Sequence, residues 1–207
     1  FLDELPEFRR NVLEALRQPL EEGKIKVSRI KRSVHFPARF MLVAAMNPCP
    51  CGYYTDQTKQ CRCNTTKIER YLSKISGPLL DRIDIHMEVP AIRYKELSSQ
   101  ENPEPSSEIK KRVKKARDIQ LKRFKGEGIF ANAQMSHKQL KKYCQPDEEG
   151  QNLLKAAIEE LGFSARAYDK ILKVSRTISD LAGSENIRAE HIAEAIQYRS
   201  LDRRLWS

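Results

Sequence analysis

No apolar run in the sequence is longer than Phe40 to Met46, seven residues, and a membrane helix needs roughly 20. A membrane-spanning helix is therefore excluded. Glycine is sparse, eight in 207 residues, there is one tryptophan, and aromatic residues make up 7% of the chain. No internal repeat or extended low-complexity tract occurs. Outside the stretch from Cys49 to Cys63 the only cysteine is Cys144, which rules out a chain-wide disulfide framework and points to a reducing, cytoplasmic setting. The chain opens with Phe1, and no charged leader, apolar core and cleavage pattern of a secretion signal follows. It reads as the downstream part of something longer. Acidic residues are also in deficit: 28 against 38 basic ones give a net charge of +10, which favours an anionic partner such as nucleic acid or nucleotide. With 40% hydrophobic and 32% charged residues, the composition is that of a globular chain of one large or two small domains.

The pattern along the chain divides it. Phe1-Leu2 ends an apolar segment that runs into Asp3-Glu4. From Pro6 to Glu21, Leu13, Leu16 and Leu20 recur at helical spacing, with Gly23 as terminator. Ile25, Val27, Val34 and Phe36 alternate with polar residues on either side of Ile30 to Arg32, which predicts a β-hairpin with a cationic tip. Phe40 to Met46 has the length and continuity of a strand buried on both faces of a parallel sheet, ended by Asn47-Pro48. A short helix over Ile68 to Ile75 and a strand over Ile83 to Val89 follow. Residues 98–107 (SSQENPEPSS) are polar and aperiodic, as in a linker between domains. Beyond them the periodicity predicts helices at about 107–125, 136–144, 148–162, 164–182 and 188–199, with Ser164 and Ser184 as N-caps and Gly162 and Gly183 as terminators. The expected organisation is an α/β unit at 1–97, the linker, and a helical unit at 108–207.

Four local patterns bear on chemistry, each with a plainer reading beside it. Asp3 and Glu4 follow an apolar strand, where α/β folds place their ligands; Asp3 suits Mg2+ held through water, and Glu4 suits a base for water attacking a phosphate. Equally, they suit an acidic first turn complementing a helix dipole. Asn47 suits a water- or phosphate-positioning amide, or merely an Asn-Pro turn. Arg82, within Leu79-Leu80-Asp81-Arg82-Ile83-Asp84, offers a planar fork for phosphate oxygens, or an ion pair with Asp81 or Asp84. Arg166, after Ser164 at the start of a helix, is disfavoured by the helix dipole unless an anion is near.

Taken in order, FLDELPEFRRNVLEALRQPLEEG, HFPARFMLVAAMNPCPCG, ISGPLLDRIDIHMEVP, SARAYDKILKVSRTISDL and HIAEAIQYRSLDRR closely resemble the AAA+ ATPases of the magnesium-chelatase-like branch, the ComM/YifB family, over essentially the whole chain. The resemblance implies a partial parallel-sheet AAA+ core followed by a helical lid. It implies Asp3 and Glu4 as the Walker B pair, Asn47 as sensor 1, Arg82 as an arginine finger offered to a neighbouring subunit, and Arg166 as the sensor 2 arginine of the lid. It implies ATP and Mg2+ as cofactors and a hexameric ring. One element of the family pattern is missing: no G-x-x-x-x-G-K-[ST] loop occurs in these 207 residues. The chain alone is therefore expected to hydrolyse little or no ATP.

Two further patterns concern binding. Lys24, Lys26, Arg29, Lys31, Arg32 and Arg39 fall in a stretch without acids, whereas residues 1–23 hold six acids and three bases. In related ring motors this hairpin projects toward the central channel, so the resemblance makes it a DNA contact; a lysine-protected edge hairpin is the alternative. Nine more cations lie between residues 110 and 125, where a solvated helix face accounts for them as well. Cys49-Pro-Cys51 and Cys61-Arg-Cys63 offer four thiolates to one tetrahedral ion, with zinc the expected structural metal, against paired disulfides or free thiols. Cys144 is expected to be a buried apolar side chain. The function expected from all of this is an ATP-driven ring motor moving along DNA, of the branch-migration or helicase type. The alternatives are a chelatase-like ATPase driving Mg2+ insertion or protein remodelling, and a non-enzymatic DNA-binding or assembly module.

Overall fold

A computed structural model of the chain describes residues 1–29, 32–54, 56, 58–89 and 104–199, the Arg29 side chain aside. These residues group into two compact units, one running from Phe1 to Ile83 with Glu88 and Val89, the other comprising Asp84–Met87 and 104–199. The first is mixed α/β and the second is helical.

The first unit begins with a single-turn 3-10 helix at Leu5–Glu7, then α1 (Arg10–Ala15) and α2 (Arg17–Glu22). One continuous helix was the expectation from the leucine spacing, but the two segments meet at Leu16. The physical reason is Pro19, which has no N–H to donate to the carbonyl of Ala15. Gly23 ends α2 with φ 63°, a left-handed conformation that glycine adopts without a Cβ penalty. β1 (Lys24–Arg29) and β2 (Arg32–Pro37) form the expected antiparallel hairpin, with Ile25 opposite Phe36 and Val27 opposite Val34. Then come α3 (Thr65–Leu72), capped by Asn64 accepting from the Lys67 N–H at 2.9 Å, and the short α4 (Gly77–Leu80). Leu5, Leu13, Ile75, Leu79 and Leu80 form the core, with Leu2, Leu16, Leu20 and Met46 packed around it.

The parallel sheet expected from the apolar runs is reduced to one bridge. Leu2 pairs in parallel with Ala44, through Leu2 N–H to the Val43 carbonyl and Ala45 N–H to the Leu2 carbonyl, both 2.9 Å. Phe40 to Met46 is not a doubly buried strand: Met41 is 85% exposed and Phe40 and Val43 are each 48% exposed. Nor do Ile83 to Val89 form a strand, and Met87 and Val89 are 66% and 80% exposed. A strand of a parallel sheet needs neighbours on both edges and helices on both faces, and among the described residues Phe40 to Met46 has one neighbour, the segment at Leu2.

The second unit follows the predicted pattern. Its helices are α5 (Ser106–Arg123), α6 (His137–Tyr143), α7 (Glu148–Leu161), α8 (Ala165–Ala182) and α9 (Ala189–Gln197). The linker assigned to 98–107 lies outside the described residues from 98 to 103, and α5 begins at Ser106. Ser164 caps α8 by accepting from the Ala167 N–H at 3.1 Å, and Gly162 and Gly183 end α7 and α8 with φ of 63° and 68°. Ser184 is not an N-cap: its hydroxyl donates to the Asn186 carbonyl, while His191 Nδ1 accepts from the Arg188 N–H at the start of α9. Phe124, Met135, Leu140, Leu154, Ile171, Ile187 and Ile192 fill a single core, joined by the buried Cys144. Burial pushes the Cys144 thiol up to about 12, so it stays protonated and apolar.

A buried polar network locks this unit. Asp180, 1% exposed, accepts both terminal nitrogens of Arg123, at 2.7 and 2.5 Å, and the Asn132 amide at 2.8 Å. Arg176 lies 3.3 Å from the same carboxylate and donates to the carbonyls of Ser184 and Glu185. Planar guanidinium groups against a carboxylate give the strong bidentate geometry that offsets desolvation.

Candidate functional site

The Asp3-Glu4 pair sits at a bend pinned on both sides. Leu2 bonds to Val43 and Ala45, and the Leu5 N–H bonds to the Ala45 carbonyl at 3.0 Å. Between these anchors Glu4 takes φ 50° and ψ 48°, the one positive φ at a non-glycine residue among those described. Such a conformation is strained for a residue with a Cβ and persists only where flanking structure imposes it. The Asp3 carboxylate accepts from the Glu4 N–H at 2.9 Å, and both carboxylates are exposed. The parallel bridge lays this bend beside the segment that leads into Asn47, whose side chain is also exposed.

Tyr71 on α3 marks the same neighbourhood. Its ring is buried and its hydroxyl stands near the backbone of Asn47. Burial pushes its pKa up, and the charges of Glu7, Cys49 and Glu4 push in the same direction. One hydroxyl on a buried ring thus stands within electrostatic reach of Glu4, Glu7 and Cys49 and near the backbone of Asn47. Tyr71 shares a face of α3 with Ile68, a spacing that in sequence indicates core packing; only the fold brings its polar tip near Asn47.

Arg82 is held inside its own unit. Its side chain is 11% exposed, pairs with Glu21 at the end of α2, and donates to the Pro78 carbonyl at 2.5 Å. Glu21 lies 61 residues away in sequence, and the guanidinium is not presented outward as the family resemblance implies for a finger. A guanidinium this enclosed needs a counterion, and the packing of α2 beside α4 supplies Glu21. Around it run Glu14, Arg17, Gln18, Glu21 and Glu22, which line a shallow groove with Arg82. Ser76 donates to Glu14 at 2.5 Å, which with Arg17 holds the Glu14 carboxyl below its usual range.

In the helical unit, Arg166 is the second residue of α8 and is exposed in its first turn. Of the hairpin cations, Lys24, Lys26 and Arg32 are exposed; the side chain of Arg29, and Lys31 as a whole, lie outside the described residues. The register pairs Arg29 with Arg32 at the end of the ladder. Lys24 and Lys26 lie on the other face, with Ser28, Ser33 and His35. Ile25, Val27, Val34 and Phe36 are all 41–52% exposed. Most cations on α5 are likewise exposed, and Lys111 pairs with Glu108 at 2.7 Å, as on a solvated helix face.

The four clustered cysteines converge. Their sulfur atoms all lie within 4.8 Å of one another, with Cys49–Cys51 at 3.3 Å, Cys51–Cys61 at 3.5 Å and Cys49–Cys61 at 3.7 Å. Cys49 is buried and the other three are half-buried, and none is in a disulfide. Thiolates bound tetrahedrally about 2.3 Å from a zinc ion sit roughly 3.8 Å apart, so the cluster can hold a metal ion with little movement. Backbone N–H groups of Tyr53 and Arg62 reach Cys51 and draw its thiol down to about 6, while the Cys63 N–H points at Cys61 Sγ at 3.4 Å.

Comparison with known proteins agrees with this architecture. Residues 1–97 match the family described as magnesium chelatase, subunit ChlI, and residues 103–199 match its C-terminal family. Over 99% of its length the chain is 46% identical to competence protein ComM of Haemophilus influenzae and 43% identical to YifB of Escherichia coli. It is 36% identical to Rv2897c of Mycobacterium tuberculosis over 96% of its length. The chain belongs to the magnesium-chelatase-like family that includes ComM and YifB, a family of AAA+ ATPases. It spans about two fifths of these relatives, 39–40% of each. Among the described residues no helix is long and apolar enough to cross a membrane.

Proposed function

We propose that the chain forms the hydrolysis and lid portion of an ATP-driven AAA+ ring motor that acts on DNA, with the two domains meeting through the 98–107 linker. The observation that carries this reading is the pinned, strained Asp3-Glu4 bend lying beside the segment that leads into Asn47. Mg2+-ATP, when bound, supplies a phosphoryl group whose charge the metal helps to neutralise. Asp3 holds the metal through water, Glu4 takes the proton of the attacking water, and Asn47 orients that water with its amide. The exposure of Asp3, Glu4 and Asn47 supports a role toward a ligand outside the core. Arg82 acts on the nucleotide of a neighbouring subunit, which requires its pair with Glu21 to open on ring assembly. Arg166 approaches the phosphates from the lid. These are positioning and charge-neutralising tasks, which dominate phosphoryl transfer.

DNA as the track is supported by the exposed Lys24, Lys26 and Arg32 on the acid-free hairpin, and by a relative named a competence protein. Lys24, Lys26, Arg29, Lys31 and Arg32 would follow phosphates through salt-sensitive contacts. The chelatase-like reading draws on the description of the matched family, magnesium chelatase. One experiment separates them: ATP hydrolysis by the chain extended upstream through a phosphate-binding loop, with and without branched DNA. Stimulation by DNA is expected; turnover indifferent to DNA would favour the chelatase or remodelling activity. In the same protein, Arg82→Ala should lower turnover by about 10³-fold or more while ATP remains bound. Retained turnover would remove the finger role.

A further inference from the structure

We propose that Cys49, Cys51, Cys61 and Cys63 hold one zinc ion that acts as a clamp on Asn47, tying the end of the segment that carries it to helix α3. The metal site stands on its own geometry; the importance given to Asn47 rests on the hydrolytic reading above.

The cluster joins two segments that, among the described residues, share no strand pairing. Cys49 lies two residues after Asn47, and Cys63 immediately precedes Asn64, the N-cap of α3. From there α3 runs two turns to Tyr71, whose hydroxyl stands near the backbone of Asn47. Chain, metal and helix would therefore enclose one residue, with the Tyr71 hydroxyl beside it. Among the described residues of the intervening loop, little else holds it. Tyr53 and Tyr54 are 36% and 55% exposed, and Asp56 forms only a local turn by accepting from the N–H groups of Thr58 and Lys59 at 2.6 and 2.9 Å. The Asn47 amide oxygen lies 4.0 Å from where a Cβ on Gly52 would sit, so this loop also borders the Asn47 side chain. A segment so poor in buried apolar contacts is ordered by its metal or not at all.

The chemistry of the donors selects the ion. Four thiols, each losing its proton, make a soft tetrahedral set suited to zinc and leave no open position for a substrate or a reacting water. The Cys63 backbone N–H directed at Cys61 provides an outer hydrogen bond of the kind that steadies such thiolates. The ion is thus structural, and its effect on hydrolysis is indirect. Asn47 touches the reacting water in the proposed mechanism; Tyr71 and the cysteines are positioning residues.

The test begins with the 207-residue chain, purified in reducing, chelator-free buffer. About one equivalent of zinc is expected; less than half an equivalent overturns the site. Replacing zinc by Co2+ should give the visible absorption of a tetrahedral thiolate complex, and an octahedral spectrum would overturn the ligand set. Amide hydrogen exchange then reads the clamp. Removing zinc should speed exchange at residues 44–49 and 65–72 at least tenfold while α7–α9 remain protected as an internal control. Unchanged exchange at 44–49 overturns the clamp even if zinc is bound. Tyr71→Phe should keep its full equivalent of zinc yet lose protection at 46–48; retained protection there also overturns it. In the chain extended through a phosphate-binding loop, Tyr71→Phe should lower kcat about tenfold with KM for ATP nearly unchanged, and a change confined to KM would overturn the positioning role. None of the metal or exchange measurements involves ATP. An extended chain that shows the clamp but no turnover would defeat the hydrolytic reading alone.

Discussion

The two units bury their apolar residues to very different degrees. The helical unit closes its own core, with Ile171, Ile187, Ile192 and Ala195 fully buried and Asp180 satisfied by two guanidinium groups and an amide. The first unit buries Leu13 and Ile75 as completely, yet leaves Phe1, Met41 and Val89 79–85% exposed. Helices satisfy their backbone internally and need a partner only along one stripe. A strand needs hydrogen-bonding neighbours at both edges before its apolar faces can be covered. The same hydrophobicity therefore yields a finished core in one unit and exposed runs in the other.

This contrast can be broken by substitution. Asp180→Ala would leave Arg123 and Arg176 buried without their carboxylate, and should cost about 3–5 kcal/mol in urea unfolding of the helical unit; a loss under about 1 kcal/mol would show the network to be incidental. Ile192→Ala should cost about 2–5 kcal/mol, whereas Met41→Ser, at a comparably apolar but exposed position, should stay within about 0.5 kcal/mol. Equal effects would erase the distinction drawn between the units. Ser164→Ala removes the cap of α8 and should cost about 1 kcal/mol, visible as a lowered thermal midpoint.

The smallest expected effect concerns pH. Bonds from Tyr143, Gln139 and Lys142 hold the Glu127 carboxyl down from 4.5 to about 2. Because its folded value lies below the unfolded one, Glu127 contributes its stabilisation above about 4.5, and that contribution is lost as the pH falls toward about 2. Glu127→Gln should flatten this acid limb in urea titrations and leave the helical unit otherwise folded; an unchanged limb would assign the acid sensitivity elsewhere.

What could be read from residues alone was local. The helical unit was legible because periodicity, Ser164 and the two terminating glycines all act within a few residues. The hairpin was legible for the same reason, its alternation matching the observed pairing of Ile25 with Phe36 and Val27 with Val34. The cysteine cluster was legible as spacing, though not its convergence. Phe40 to Met46 was legible as apolar but not as unpaired, because pairing depends on distant neighbours. Arg82 was legible as a cation among acids, but its partner, Glu21, is 61 residues away, and Tyr71 carried no mark beyond its place on an apolar helix face.

The sequence by itself determined the elements that close within a turn or two, the charge segregation around the hairpin and the chemical character of the four thiols. Only the tertiary structure decided which carboxylate meets Arg82, which hydroxyl stands near Asn47, and that a strain at Glu4 would be imposed by the bonds flanking it. The reason is that local preferences are set by covalent geometry and nearby side chains, whereas ion pairs and burial depend on segments that come together only when the chain packs.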